Sequence, residues 1–388
     1  MSSLPPSRLE RTRKAVSTMV VLILIIVAVV AAAGVVGYYY TKTKSTSTNT
    51  TSTSSSAYSG PAESLTAGGS SFVNPVMQEW IFGFTNLTKG AVSIDYATVG
   101  SGAGQQGLIQ NIFAYAGSDA PLNFTYLDDL KGQQVLTIPD TLGAVVVFYN
   151  IPTVGNVTLK MTGPILADIW DENLTMWNDP RLVALNPGIA LPDQQILPVH
   201  RSDGSGTTYA FTSYLSDVDP TWNSTIGVGL SVNWPSNELS NKGSSGIATT
   251  VYETPYSIGY VDQYYAEQNK LSFAAIQNSA GNFILPNITT ITDAANAFQT
   301  QLSSNPIFTI VNAPGADSYP LSTFSYLMAY AAQSNYGVGY AVASFFSYVV
   351  NQGQRFGPGL DFPELPASMV TIDNKIIDEM TYNGQALI

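Results

Sequence analysis

Apolar and polar positions divide the chain into three stretches. From Met19 to Gly37 run nineteen residues without a charge, nearly all Val, Ile, Leu, Ala or Gly. A helix begun at Ala15 gives about 23 residues, enough at 1.5 Å per residue to cross a bilayer. Arg8, Arg11, Arg13 and Lys14 precede it and Tyr38, Tyr39 and Tyr40 come after it, which puts the N-terminus in the cytoplasm. Residues 1–14 therefore read as a cytoplasmic basic segment and 15–40 as a transmembrane anchor. Ala31-Ala32-Ala33 also resembles a cleavage site, so a signal sequence fits the same stretch, and either reading exports the rest of the chain. Residues 41–61 are rich in Ser and Thr, cannot bury a core and read as a linker.

Past the linker, strand-like and helix-like segments alternate. Ala91–Val99 has the period of a strand, and Gly104–Tyr115 sets Leu108, Ile109, Ile112 and Phe113 at helical spacing. Leu142–Tyr149, Ser257–Val261 and Ser322–Ala329 are apolar, β-rich runs, whereas Pro164–Trp170 and Ala294–Leu302 read as helices. This alternation predicts an α/β architecture with a mostly parallel sheet.

Composition narrows the function. Charged residues make up 11% of the chain, against roughly 25% in ordinary soluble domains. Beyond Gly60 the chain carries nine basic and 26 acidic residues, a formal net of −17. Such a surface offers no basic stripe to nucleic acid and repels anions at long range. An anion site here needs local dipoles and one or two placed cations. With one His and no Cys, the chain has no disulfide, no Cys-ligated zinc, no thiol chemistry and no lipidation at a cysteine. No cofactor or metal is expected.

Three short stretches gather glycines and hydroxyls ahead of helix-like segments: Ala67-Gly68-Gly69-Ser70-Ser71-Phe72, Gly100-Ser101-Gly102-Ala103-Gly104, and His200-Arg201-Ser202-Asp203-Gly204-Ser205-Gly206-Thr207-Thr208. Unpaired backbone N–H groups and the positive end of the helix dipole favour an oxyanion at such places. The same residues also serve as ordinary caps and turns. Other templates fit less well. Gly102-x-Gly104-x-x-Gly107 lacks an acid well placed for a dinucleotide, Gly-Lys never occurs, and no Gly-x-Ser-x-Gly elbow exists. His200, beside Arg201, reads as a structural hydrogen-bonding residue.

Together with Gly117-Ser118-Asp119-Ala120-Pro121-Leu122, Thr175-Met176-Trp177-Asn178-Asp179-Pro180, Thr254–Val261 and Tyr319-Pro320-Leu321, these stretches resemble the phosphate-binding subunit of high-affinity phosphate ABC transporters. The resemblance covers nearly all of Leu65–Met380, and the run 196–215 is its most specific part. It implies a two-lobed periplasmic-binding-protein fold of type II, with lobe I at 62–145 and 319–388, lobe II at 146–318, and crossovers near Leu142–Tyr149 and Ser318–Tyr326. The partners it implies are inorganic phosphate and the permease and ATPase subunits of an importer, with the N-terminal helix in the membrane. The anchor and stalk point to an archaeal surface protein.

The resemblance also implies the ligand contacts. Ser71 and Ser101 bring hydroxyls and Phe72 its backbone N–H, Arg201 is the cation, and Ser205, Gly206 and Thr207 line the third helix start. Asp203 orients the guanidinium, and Asp119 accepts the ligand's own proton. That last role gives selectivity, because a carboxylate pairs with P–OH but meets only acceptors on sulfate. Val73 departs from the family's usual proline, while Pro75 keeps the later one. Nothing supplies a base paired with a nucleophile, so no enzymatic activity is expected. The alternatives are a phosphatase-like enzyme, a non-transport surface protein, or a binder of a related protonatable oxyanion.

Overall fold

The computed structural model describes residues 58–235 and 238–388. The cytoplasmic segment, the anchor and all but the end of the linker lie outside the described residues. Among the described residues no helix is long and apolar enough to cross a membrane.

One sheet of nine strands organises the fold. Its strands are β1 (Glu63–Gly69), β2 (Val92–Thr98), β3 (Tyr115–Ser118), β4 (Val135–Tyr149), β5 (Leu197–Arg201), β6 (Leu239–Asn241), β7 (Ser257–Asp262), β8 (Ser272–Phe273) and β9 (Ser322–Tyr330). Their order is β2-β1-β3-β9-β4-β7-β5-β6, with β8 also pairing with β4. The outer pairs β1–β2, β1–β3, β5–β6 and β5–β7 are parallel. The central pairs β3–β9, β4–β9, β4–β7 and β4–β8 are antiparallel. The expectation of a mostly parallel sheet therefore holds only at the flanks. A strand buried on both faces is apolar whichever way its neighbours run, so hydrophobicity does not reveal the direction.

β4 joins two half-sheets. It pairs with β9 through Ala144 and with β7 from Val145 onward. From Leu136 to Tyr149 every residue is buried, as a strand covered on both faces requires. Pro139 sits inside this central strand, where a proline usually breaks the ladder. The register shifts here: Pro139 pairs with Tyr326 and Thr141 with Ser325, leaving Asp140 as an extra residue in a bulge.

Among the helices that start at the sheet's loops are α1 (Asn74–Leu87), α2 (Ser101–Ile109), α3 (Gly206–Val218) and α4 (Gly243–Glu253). In α1, Val76, Met77, Trp80 and Phe84 are buried at helical spacing. Burying each large side chain contributes roughly 1.5–3 kcal/mol. In α3, Ala210, Phe211, Tyr214 and Leu215 are buried in the same way, with Phe211 against Trp170 and Tyr260. The helix expected over Gly104–Tyr115 starts three residues earlier and stops at Ile109, because Asn111 turns to φ 57° and the chain enters β3. The helix expected over Ala294–Leu302 is instead two, Ile288–Asn296 and Gln299–Ser304. Pro164–Trp170 lies within the helix Gly163–Trp170, capped by Thr162.

Candidate functional site

The three Gly/Ser stretches do open helices, and their ends meet at the junction of the two half-sheets. At the first, Gly69 has φ 147°, and a Cβ there would lie 2.0 Å from the Gly117 carbonyl. Only glycine lets β1 come so close to the strand that carries the acid. The Ser70 N–H donates to Gly117 O at 2.9 Å, and Tyr96 OH donates to Ser70 O at 3.1 Å. At the second, Gly100 has φ 91° just ahead of α2. At the third, Ser205 Oγ caps α3 by accepting the Thr208 N–H at 3.2 Å.

Asp119, just past the end of β3, is the centre of the first half's contribution. It is 2% exposed. Ser70 Oγ stands 2.6 and 2.7 Å from its two carboxylate oxygens. Ser101 Oγ lies 3.5 Å from Oδ2 and accepts the Asp119 N–H at 3.2 Å. Gln105 pins the loop from below: its Nε2 donates to Ser118 Oγ and to the carbonyls of Ala120 and Pro121, and its Oε1 accepts the Asn123 N–H. Burial pushes the Asp119 pKa up to about 6, although the Ser70, Ser325 and Ser101 hydroxyls and the Arg201 charge pull it down. The burial of Asp119 is not that of a solvated helix cap.

Across the junction, Arg201 is 3% exposed. Its Nε and Nη2 donate to Asp203 Oδ1 and Oδ2 at 2.7 and 2.6 Å, a two-pronged pair that fixes the guanidinium plane. Nη1 stands 3.5 Å from Thr207 Oγ1. Against the opposing effect of burial, the guanidinium holds the Asp203 carboxyl below its ordinary pKa. Arg201 N–H donates to Tyr260 OH at 3.1 Å, and Thr208 Oγ1 lies 2.7 Å from the same oxygen.

The halves touch through glycine. Gly102 N–H donates to Gly204 O at 2.9 Å. A Cβ on Gly206 would lie 2.6–2.7 Å from the Cβ, Cα and N of Asp119. The third loop thus rests directly on the acid of the first half. Ser71, Phe72, Ser101, Asp119, Arg201, Ser205, Gly206 and Thr207 all lie buried in these loops.

Their hydrogen bonds differ in detail from the simplest expectation. Phe72 N–H donates to Ser70 Oγ at 3.0 Å. Ser71 Oγ accepts from the Ser244 N–H at 3.0 Å. His200 has the structural role expected of it, stacking on Trp234 with Nδ1 2.9 Å from Arg201 O.

Three residues of the site escape a reading of the sequence. Ser70 lies in the first Gly/Ser stretch, but nothing local separates its role from that of Ser71. Ser244 opens α4 in Lys242-Gly243-Ser244-Ser245-Gly246, a fourth stretch of the same composition, and that composition is the signal that could find it. Asp140 has no signal. It lies behind the site with no hydrogen-bond partner on either carboxyl oxygen, and burial, with the nearby Asp119 charge, drives its pKa far up.

Comparison with known proteins agrees with this architecture. Residues 44–352 match the family model of the PBP superfamily domain. The chain is 36% identical over 309 residues to the phosphate-binding protein PstS of Pasteurella multocida, covering 80% of this chain and 88% of that one. It is 34% identical over 308 residues to PstS of Methanocaldococcus jannaschii, covering 74% and 78%. Among solved structures, a phosphate-binding protein from Stenotrophomonas maltophilia superposes with a TM-score of 0.63 at 18% identity, over 81% of this chain and 93% of that one. A periplasmic phosphate-binding protein, PfluDING, solved with phosphate bound, gives 0.64 at 18%, over 80% and 92%. At those identities the structural likeness is one of fold.

Proposed function

Since the chain belongs to the PBP superfamily and, within it, to the PstS phosphate-binding proteins, we propose that it captures inorganic phosphate outside the cytoplasm and delivers it to an ABC importer. One observation supports this reading above the others. A buried acid, Asp119, faces a loop of donors around a buried guanidinium, Arg201, and the two come from opposite half-sheets. An oxyanion that still carries a proton satisfies both sides of such a site. One without a proton leaves the carboxylate facing only acceptors.

In this reading 62–145 and 319–388 form lobe I and 146–318 lobe II. The change of partner along β4 at Ala144–Val145 is consistent with a hinge there. Ser71, Ser101, Ser205 and Thr207 offer hydroxyls, Gly206 its backbone amide and Phe72 an N–H that exchanges Ser70 Oγ for the ligand, and Asp203 holds Arg201 in plane. Charge-assisted hydrogen bonds contribute about 1.5–3 kcal/mol each. Four or five that survive ordering costs reach about −8 kcal/mol, roughly micromolar affinity. Repulsion from a surface of net −17 is screened beyond about 8–10 Å and does not compete at contact distance. Residues 15–40 anchor the protein, or direct its export and are removed, and 41–61 hold the domain off the membrane.

Calorimetric titration of the purified full-length protein tests this. Micromolar or tighter binding of phosphate, with arsenate as the nearest competitor, is expected. Absence of any phosphate heat from protein freed of bound anion rejects it.

A further inference from the structure

The Ser70 side chain is fully buried. Its oxygen stands 2.6 and 2.7 Å from the two carboxylate oxygens of Asp119, the short range of a hydroxyl donating to a carboxylate. A hydroxyl has one proton, so that proton is committed to the acid. The lone pairs of the same oxygen face the start of α1, where Phe72 N–H donates at 3.0 Å and Val73 N–H at 3.4 Å. A serine that caps its own turn needs only the second set of contacts. Ser70 has both, and the acid arrives from the end of β3, a different strand.

The surroundings leave this hydroxyl one way to move. The Ser70 N–H donates to Gly117 O and its carbonyl accepts from Tyr96 OH, so the backbone is held and only rotation about Cα–Cβ remains. Other approaches to Asp119 are filled. Ser101 Oγ accepts its N–H and lies 3.5 Å from Oδ2, and Gly206 packs so closely that a Cβ there would lie 2.6 Å from the Asp119 Cβ. With the acid 2% exposed, a ligand reaches its oxygens by taking the place of Ser70.

A protonated oxygen of phosphate asks for the same partners, a carboxylate to receive its proton and amides to donate to its lone pairs. We propose that the Ser70 hydroxyl is an internal stand-in for the ligand's P–OH group, pairing with Asp119 and the Phe72 N–H in the anion-free protein and rotating aside when the anion binds. The inference rests on the phosphate reading and adds a competitor to it. The stand-in spares the free protein a buried carboxylate and amide without partners. It also lowers the apparent affinity, because only molecules with Ser70 turned aside can accept the anion's proton. Sulfate has no proton to give near neutral pH and cannot replace Ser70 at the acid, so the exchange favours phosphate. Ser70 is thus a specificity-determining residue that acts through Asp119 and Phe72.

The test compares phosphate and sulfate affinity, phosphate dissociation rate and thermal unfolding for the full-length protein, Ser70→Ala and Ser71→Ala, each freed of bound anion. Ser70→Ala should bind phosphate about tenfold more tightly and release it more slowly, as a competent fraction of about a tenth rises to one. Sulfate gains the Phe72 N–H but meets a barer carboxylate, so its affinity should change less than about threefold. Ser71→Ala loses a ligand donor rather than a competitor and should bind phosphate more weakly. Without phosphate Ser70→Ala should unfold at a lower temperature than the parent, and saturating phosphate should close that gap. Weaker phosphate binding in Ser70→Ala, a gap that phosphate leaves unchanged, or an equal gain for sulfate overturns the inference. Tighter binding in both alanine variants overturns it too, because the effect then belongs to the loop. A parent that does not bind phosphate rejects the ligand reading and this inference with it, whereas a parent that binds, with Ser70→Ala no tighter, rejects the inference alone.

Discussion

Replacing Asp119 by Asn changes one atom and separates selectivity from stability. The carboxylate oxygens both face Ser70 Oγ, at 2.6 and 2.7 Å, so an amide of the same shape keeps one accepting oxygen there. What is lost is the second acceptor and the charge. A charge-assisted hydrogen bond from P–OH contributes about 1.5–3 kcal/mol, so phosphate affinity should fall roughly 10- to 100-fold. Sulfate gains a donor where it met a repelling acceptor, and its affinity should rise by a similar factor. The ratio of the two should therefore drop by about 10²–10⁴. Stability should move the other way. With its pKa at about 6, Asp119 ionised at pH 7 opposes folding by on the order of 3 kcal/mol, and the amide removes that penalty. Calorimetric titration with both anions, alongside thermal unfolding at pH 7, reads the two effects together. A folded Asp119→Asn protein with an unchanged phosphate-to-sulfate ratio would refute the role of the carboxylate. A loss of binding accompanied by a large drop in melting temperature would reduce it to a structural role.

Three further outcomes are expected. Gly206→Ala places a methyl 2.6–2.7 Å from Cβ, Cα and N of Asp119, so the halves must separate; phosphate affinity should fall at least about 100-fold with the fold intact by circular dichroism, and near-normal binding contradicts the contact. Arg201→Lys removes the two-pronged pairing with Asp203 while keeping the charge, and titration should show a loss of roughly 10- to 100-fold. Burial raises the pKa of Asp373 to about 8 and of Glu238 to about 9. Such acids hold more protons folded than unfolded, so their contribution to stability is fully present below about pH 4 and is lost as pH rises toward 8–9. Melting temperatures across pH 5–9 should decline, and Asp373→Asn should flatten the slope below pH 8; a rise with pH contradicts the sign.

How much can be read from the sequence depends on what a side chain shows locally. Gly100, Ser101, Ser205 and Gly206 are legible because Gly/Ser helix starts recur three times in one chain, although any one of them alone also reads as an ordinary cap or turn. Arg201 and Asp203 stand out as charges in a chain with few. Asp119 cannot be told from a surface acid by pattern, and its role comes from the resemblance alone. Ser70 and Ser71 are neighbours of one type, and which hydroxyl faces the acid depends on backbone direction after Gly69. The antiparallel centre is hidden because Leu136–Tyr149 is largely apolar, and the bulge at Asp140 leaves no mark but Pro139. Ser244 meets Ser71 across the junction, through a contact that no spacing along the chain encodes.

Competition between phosphate and sulfate for the full-length protein at pH 7 probes most directly whether a proton-accepting acid sits among the donors. Phosphate should displace sulfate with a preference of about 10⁴ or more, shrinking as pH falls below 6 and Asp119 takes up a proton of its own. Equal affinity for the two anions at neutral pH would contradict the site as described.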